Sequence, residues 1–139
     1  MKTLCCLLML LVSPLSLGAE GAATPESIAS SFFATLMKGD PMKAVDTFFA
    51  INPNFAARSQ QLQMVKTQLV GALQIYGNPS GVETILVEEL APSLHRRVYL
   101  TNHETHPLVW EMYFYKVKSG WLPDQLQFRD TYELLGPKK

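Results

Sequence analysis

The chain has 139 residues, 47% of them apolar, with twelve basic and twelve acidic side chains and a formal charge of zero. That balance argues against a nucleic-acid binder, which needs a basic footprint to displace counterions from phosphates. The length suits one domain with one core, and no internal repeat or low-complexity linker divides it.

Lys2, an apolar run from Leu4 to Val12, and the small residues of Ser16-Leu17-Gly18-Ala19 have the plan of a secretory signal peptide. The run is too short for a bilayer-spanning helix. Cleavage after Ala19 is expected, with Gly21-Ala22-Ala23 as a second site, leaving residues 20–139 as a single periplasmic or secreted domain with no membrane attachment. Both cysteines, Cys5 and Cys6, fall inside the signal, so the mature chain is expected to have neither disulfide nor thiol chemistry. Losing residues 1–19 removes only Lys2 among the charges, a formal change from zero to one negative charge.

Thr24-Pro25-Glu26 is a helix start, with a capping hydroxyl, proline at the first helical position and an acid at the positive dipole end. Ile28, Phe32, Phe33, Leu36 and Met37 keep helical spacing to about Lys38, and Gly39 is a C-cap candidate. Asp40-Pro41 repeats the start signal for a shorter helix with Met42, Val45, Phe48 and Phe49 on one side, ending near Asn52-Pro53. A third helix is predicted within residues 54–76, with Leu62, Val65, Leu69, Ala72, Leu73 and Tyr76 at intervals of three or four.

Gly77-Asn78-Pro79 stops that helix, and strands are predicted from Val82 to Leu90 and from about Leu94 to Thr101. Pro107 to Val117 alternates, placing Leu108, Trp110, Met112 and Phe114 on one face and Val109, Glu111, Tyr113 and Tyr115 on the other. A turn around Ser119-Gly120 leads through Trp121-Leu122 to a last strand, Gln125 to Asp130. Parity constrains this hairpin. A two-residue Ser119-Gly120 turn without a bulge would set Tyr113 opposite Leu126 and mix the faces, so one extra residue is required. It belongs either in a three-residue Lys118-Ser119-Gly120 loop or at Pro123, and then Trp110, Met112, Phe114, Leu126 and Phe128 share a face. Three helices followed by four sequential antiparallel strands is the α+β pattern, with the helices on one sheet face.

The element order, with Tyr76-Gly77-Asn78-Pro79, Tyr113-Phe114-Tyr115-Lys116 and Gly120-Trp121, resembles small secreted bacterial proteins of the nuclear transport factor 2-like superfamily across about residues 24–132. The resemblance implies a cone in which a curved sheet wraps around helices. That superfamily includes isomerases, dehydratases, cyclases, assembly domains and binding modules, so the resemblance informs fold more than activity. No catalytic residue matches its isomerase motif.

Several side chains carry candidate chemistry. His103-Glu104-Thr105-His106 contains zinc-compatible groups, but not at the spacing of a helical metal motif, and reads as a solvated loop. Arg96 shares a face with Val98 and Leu100, where it needs a carboxylate or an anionic ligand unless its head snorkels to water; it is the best single anion-binding candidate. Glu111, Tyr113, Tyr115, Gln127 and Arg129 share the more polar face, which suits either a pocket or a subunit interface, with Glu111 and Arg129 able to pair across the strands. Asp124 and Asp130 are the acids nearest the aromatic sheet, and Asp130 reads as a strand-end residue rather than a base.

The expectation is a non-enzymatic binding or protein-interaction module, without cofactor or metal, for a small apolar or anionic ligand. The competing reading is a small cofactor-independent enzyme acting on an apolar ligand in the cone. The helices cover one sheet face only, and the tail after Tyr132 is short and ends in Gly136-Pro137-Lys138-Lys139, a poor lid. A homodimer through the tyrosine-bearing face is therefore expected.

Overall fold

The computed structural model describes residues 22–135, and the predicted signal segment lies outside them. Thr24 starts the first helix reciprocally: its hydroxyl accepts the Ser27 N–H at 3.2 Å, and the Ser27 hydroxyl accepts the Thr24 N–H at 2.9 Å. Helix α1 then runs Pro25–Met37. It stops at Gly39, whose φ of +83° lies where a side chain is disfavoured, and where an added Cβ would come within 3.2 Å of Asn78. The Asp40 carboxylate accepts the Lys43 N–H at 3.0 Å and opens α2 (Pro41–Ala50).

The start of the third helix is displaced. A single 3₁₀ turn, Pro53–Phe55, comes first, and α3 runs Ser59–Tyr76. Asn52 explains the corner, because its side chain accepts the Asn54 N–H at 3.1 Å and donates to the Pro123 carbonyl at 2.9 Å. A buried amide thus ties the bend between helices to the last strand.

Four strands follow, β1 (Gly81–Ala91), β2 (Leu94–Asn102), β3 (Leu108–Val117) and β4 (Gly120–Arg129), forming one open antiparallel sheet in sequential order. The α+β architecture is the predicted one. In the β3–β4 hairpin Val117 pairs with Gly120, so the tight turn is Lys118-Ser119. The extra residue that parity requires lies beside Pro123: the register shifts between Tyr113/Gln125 and Phe114/Pro123, leaving Asp124 as the bulge. Trp110 then pairs with Phe128 and Met112 with Leu126.

That register builds the main core. Phe32 and Phe33 of α1 approach Trp110 edge-on at 5.4 and 5.6 Å between ring centres, Phe33 meets Tyr99 at 5.0 Å, and Phe48 of α2 meets Phe114 at 6.0 Å. Trp110, Met112 and Phe114 are wholly buried. The space between helices and sheet is filled with rings.

On the opposite face, the expectation of an inadequate tail is corrected. A 3₁₀ turn, Glu133–Leu135, folds back over the sheet and buries Leu134 against Val98 and Val109, with Leu86 and Leu100 around them. Both valines are completely removed from solvent. One leucine is enough because the second face narrows its apolar floor to those β-branched side chains. Edge strand β1 is covered only where Leu86 joins that cluster; it exposes Val82, Ile85, Val87 and Leu90 and is broken by two register shifts, a feature that discourages edge-to-edge pairing.

Candidate functional site

Strand alternation places Arg96 on the second face opposite Tyr113, and Val98 opposite Glu111. Arg96 is 1% exposed, so it does not snorkel. Its Nε donates to Glu111 Oε2 at 2.6 Å, Nη1 to Glu88 Oε2 at 3.1 Å, and Nη2 to the Leu134 carbonyl at 2.9 Å. Burial lowers the affinity of the guanidinium for its proton, but the bonds to Glu111 and Glu88 outweigh that, and its pKa is raised overall. The carboxylates demanded by an arginine on an apolar face are supplied by the protein itself. Glu111 therefore joins Arg96, and the anticipated pairing of Glu111 with Arg129 is corrected: Glu111 stands opposite Gln127, while Arg129 lies opposite Val109 and is exposed. Tyr113 is half-buried, whereas Tyr115 is 48% exposed beyond the tail.

The loop histidines serve separate elements. His103 Nδ1 donates to the Gly77 carbonyl at 2.7 Å, leaving Nε2 to accept from the Thr101 hydroxyl at 2.8 Å, and Thr101 Oγ1 accepts the Trp110 indole N–H at 2.7 Å. This chain fixes the end of α3 to the sheet and satisfies a buried tryptophan. His106 Nε2 donates instead to the Asp130 carbonyl at 2.7 Å. Among the described residues, no group of three or more histidine, cysteine or acidic side chains could hold a metal ion.

Open volume occurs along β4, the second edge of the sheet. A cleft of about 520 Å³ lies between α3 and the end of β4. Ala72, Ile75, Leu108 and Phe128 give it apolar walls, while Gln68, Arg129, Asp130 and Glu133 give it a polar rim. Smaller hollows of about 260 and 270 Å³ continue along β4 past Gln127 toward Asp124. Gly71, in the middle of α3, lines the main cleft, and nothing lies within 4 Å of the position a Cβ would take. The helix spacing explains the opening: α3 turns Leu69 and Leu73 into the core but leaves Leu62, Val65 and Ala72 only half-covered.

Three residues distant in sequence meet at this rim. The Tyr76 hydroxyl donates to Asp130 Oδ2 at 2.7 Å, and the His106 ring lies against Tyr76 at 5.5 Å and Tyr132 at 6.1 Å. The Tyr76 bond holds the Asp130 carboxyl below its ordinary value of 3.8, with the His106 charge adding in the same direction. That bond likewise pushes the Tyr76 hydroxyl above its ordinary 10.0.

Sequence reading named Asp130 only as a strand-end residue and assigned Tyr76 to an apolar stripe. Their bond spans 54 positions, and no local pattern in the sequence brings the two ends together. No family model matches the chain, and no curated protein or solved structure matches it either.

Proposed function

We propose that this protein is an exported, non-enzymatic binding module, built on a plan like that of the nuclear transport factor 2-like superfamily, whose ligand site is the cleft between α3 and β4. The observation that carries this reading is the distribution of space. The core between helices and sheet is packed with aromatic rings, while at its margin, between α3 and the end of β4, a cleft of about 520 Å³ stays open, with apolar walls and a polar rim. A small ligand would place an apolar body against Ala72, Ile75, Leu108 and Phe128 and an anionic or hydrogen-bonding end at the rim beside Arg129.

Catalysis by the rim groups is the weaker reading. A general base works best with a pKa near the working pH, yet the Asp130 carboxyl is shifted down and the Tyr76 hydroxyl up, both away from neutrality. Export rests on the character of residues 1–19. Pairing of two copies would use the part of the second face beyond the tail, around Tyr113 and Tyr115, and Tyr113→Asp should then halve the light-scattering mass of the purified protein; a wild-type monomer mass at every concentration would exclude pairing.

The cleft is tested by screening small amphipathic compounds against residues 20–139, using thermal shift and ligand-observed NMR. Gly71→Leu places a side chain at the cleft wall, from a Cβ position with nothing within 4 Å of it. Compounds that bind the wild type and are lost in this variant, with its fold retained, support the site. Binding indifferent to Gly71→Leu would refute it.

A further inference from the structure

We infer that the groove between α3 and β4 binds an extended peptide, which adds as a strand to the free edge of the sheet. The inference rests on the reading of the cleft as the ligand site and names the class of ligand that runs along it. In the sequential sheet β4 is an outer strand, and no other strand pairs with its far side. The hollows of about 520, 260 and 270 Å³ follow that side from Asp130 to Asp124.

The register dictates which backbone groups face the groove. Val117 and Gly120 flank a two-residue turn, where antiparallel strands exchange hydrogen bonds. Backbone direction alternates along a strand, so Tyr113, Glu111 and Val109 likewise turn N–H and C=O toward Gln125, Gln127 and Arg129. Lys116, of the other parity, donates its N–H away from β4, to the Ser93 carbonyl at 2.8 Å, as the alternation requires. Leu126 and Phe128 lie between the bonded residues of β4 and therefore aim N–H and C=O outward, at the groove. The ends of this edge are already taken: Asn52 donates to the Pro123 carbonyl at 2.9 Å and His106 to the Asp130 carbonyl at 2.7 Å. Among the described residues, nothing bonds the outward groups of Leu126 and Phe128.

Those groups select the occupant. A ligand that fills the hollows along β4 strips water from two donors and two acceptors, and each one left unmet weakens binding. An acyl chain or a fused ring system replaces none of the lost bonds. An antiparallel peptide meets all four groups with two of its residues, spaced two apart, which exchange bonds with Leu126 and Phe128. The side chains of those two residues point the same way as Leu126 and Phe128, toward the half-covered Leu62, Val65 and Ala72 of α3, and so must be apolar. Their neighbours in the peptide lie beside Gln125 and Gln127 and are polar. The partner is thus an extended segment in which apolar and polar residues alternate, the pattern of β4 itself.

The test adds end-blocked peptides of about six residues, enough to follow the strand from Asp124 to Asp130, to the full ¹⁵N-labelled chain. In these peptides threonine alternates with valine, leucine or phenylalanine. In the free protein the Leu126 and Phe128 amides should exchange fast and those of Gln125 and Gln127 slowly. At least one peptide should saturate below about 1 mM, slow exchange at Leu126 and Phe128 by about tenfold or more, and leave Gln125 and Gln127 unchanged. N-methylation of its apolar residues should weaken binding by about tenfold or more, whereas N-methylation of its threonines, whose N–H groups point away from β4, should not. Equal affinity of the two methylated forms, binding without slower exchange at Leu126 and Phe128, or saturation by none of the peptides would overturn the inference. Small compounds that bind the cleft and are lost in Gly71→Leu would, in that event, leave the cleft reading standing, so the two fail separately.

Discussion

The two faces of the sheet bury side chains drawn from the same alternating strands, yet they do so by different physics. The helix face covers Trp110, Met112 and Phe114 with three helices and a lattice of edge-on rings. The second face covers Val98, Val109 and an Arg96–Glu111 pair with one three-residue turn. Large apolar area makes the first cover part of the global fold, because removing it exposes the whole core. The second cover is a short turn that contributes one leucine and one carbonyl, the acceptor of Arg96 Nη2; with so little buried area, it is expected to open locally.

The largest expected effect is on the helix face. Phe114→Ala should cost about 3–5 kcal/mol, through lost burial and a cavity among rings that have no room to collapse, as read by urea unfolding. A cost below about 1 kcal/mol would mean that the face is loosely packed.

Glu111→Gln comes next and probes the other face. It leaves the Arg96 charge buried with Glu88 as its remaining carboxylate, at a cost of about 3 kcal/mol, whereas the Arg96→Met, Glu111→Met double variant should lose much less. A strictly additive double variant would contradict the coupling of the pair.

A smaller effect concerns pH at the cleft rim. The Asp130 carboxyl is depressed in the folded state, so its contribution is complete above its ordinary 3.8 and disappears as pH falls through the lower folded value. Tyr76 is raised, so its contribution is complete below 10.0 and disappears as pH rises through the higher folded value. Tyr76→Phe should abolish the alkaline limb and return the Asp130 carboxyl toward 3.8, measured by carboxyl NMR titration. An unchanged Asp130 titration would show that the bond does not form in solution.

Gly71→Ala should give the smallest change and the opposite sign. It replaces a helix-interior glycine where a methyl meets nothing, and should stabilise the protein by about 0.5–1 kcal/mol without blocking the cleft. Destabilisation would mean that α3 lies closer to β4 than described.

Much of the helix face was legible in the sequence because local signals and parity suffice for it. Thr24-Pro25 and Asp40-Pro41 set the helix starts, and the side-chain period of two required an extra residue in the Lys118-Ser119-Gly120 turn or at Pro123, the second of which is where the bulge occurs. The second face was less legible. That Arg96 needs a carboxylate could be argued from its neighbours, but choosing Glu111 rather than an outside anion required the β2–β3 register, which no turn signal between Asn102 and Leu108 determines. Leu134 could not be assigned at all, since one apolar residue in a short polar tail has no periodicity to read. The Tyr76–Asp130 bond was hidden for a related reason: it depends on where α3 ends relative to β4, a tertiary distance rather than a local pattern.

The contrast between the faces is tested most directly by native-state amide hydrogen exchange of residues 20–139 at increasing low concentrations of denaturant. The account predicts that the Leu135 amide, bonded within the tail turn, exchanges through a local opening insensitive to denaturant, while the paired amides of β2 and β3 exchange only through global unfolding with a steep denaturant dependence. A single steep dependence shared by the tail and the two central strands would contradict it, because the turn over Arg96 would then be as much a part of the cooperative core as the helices.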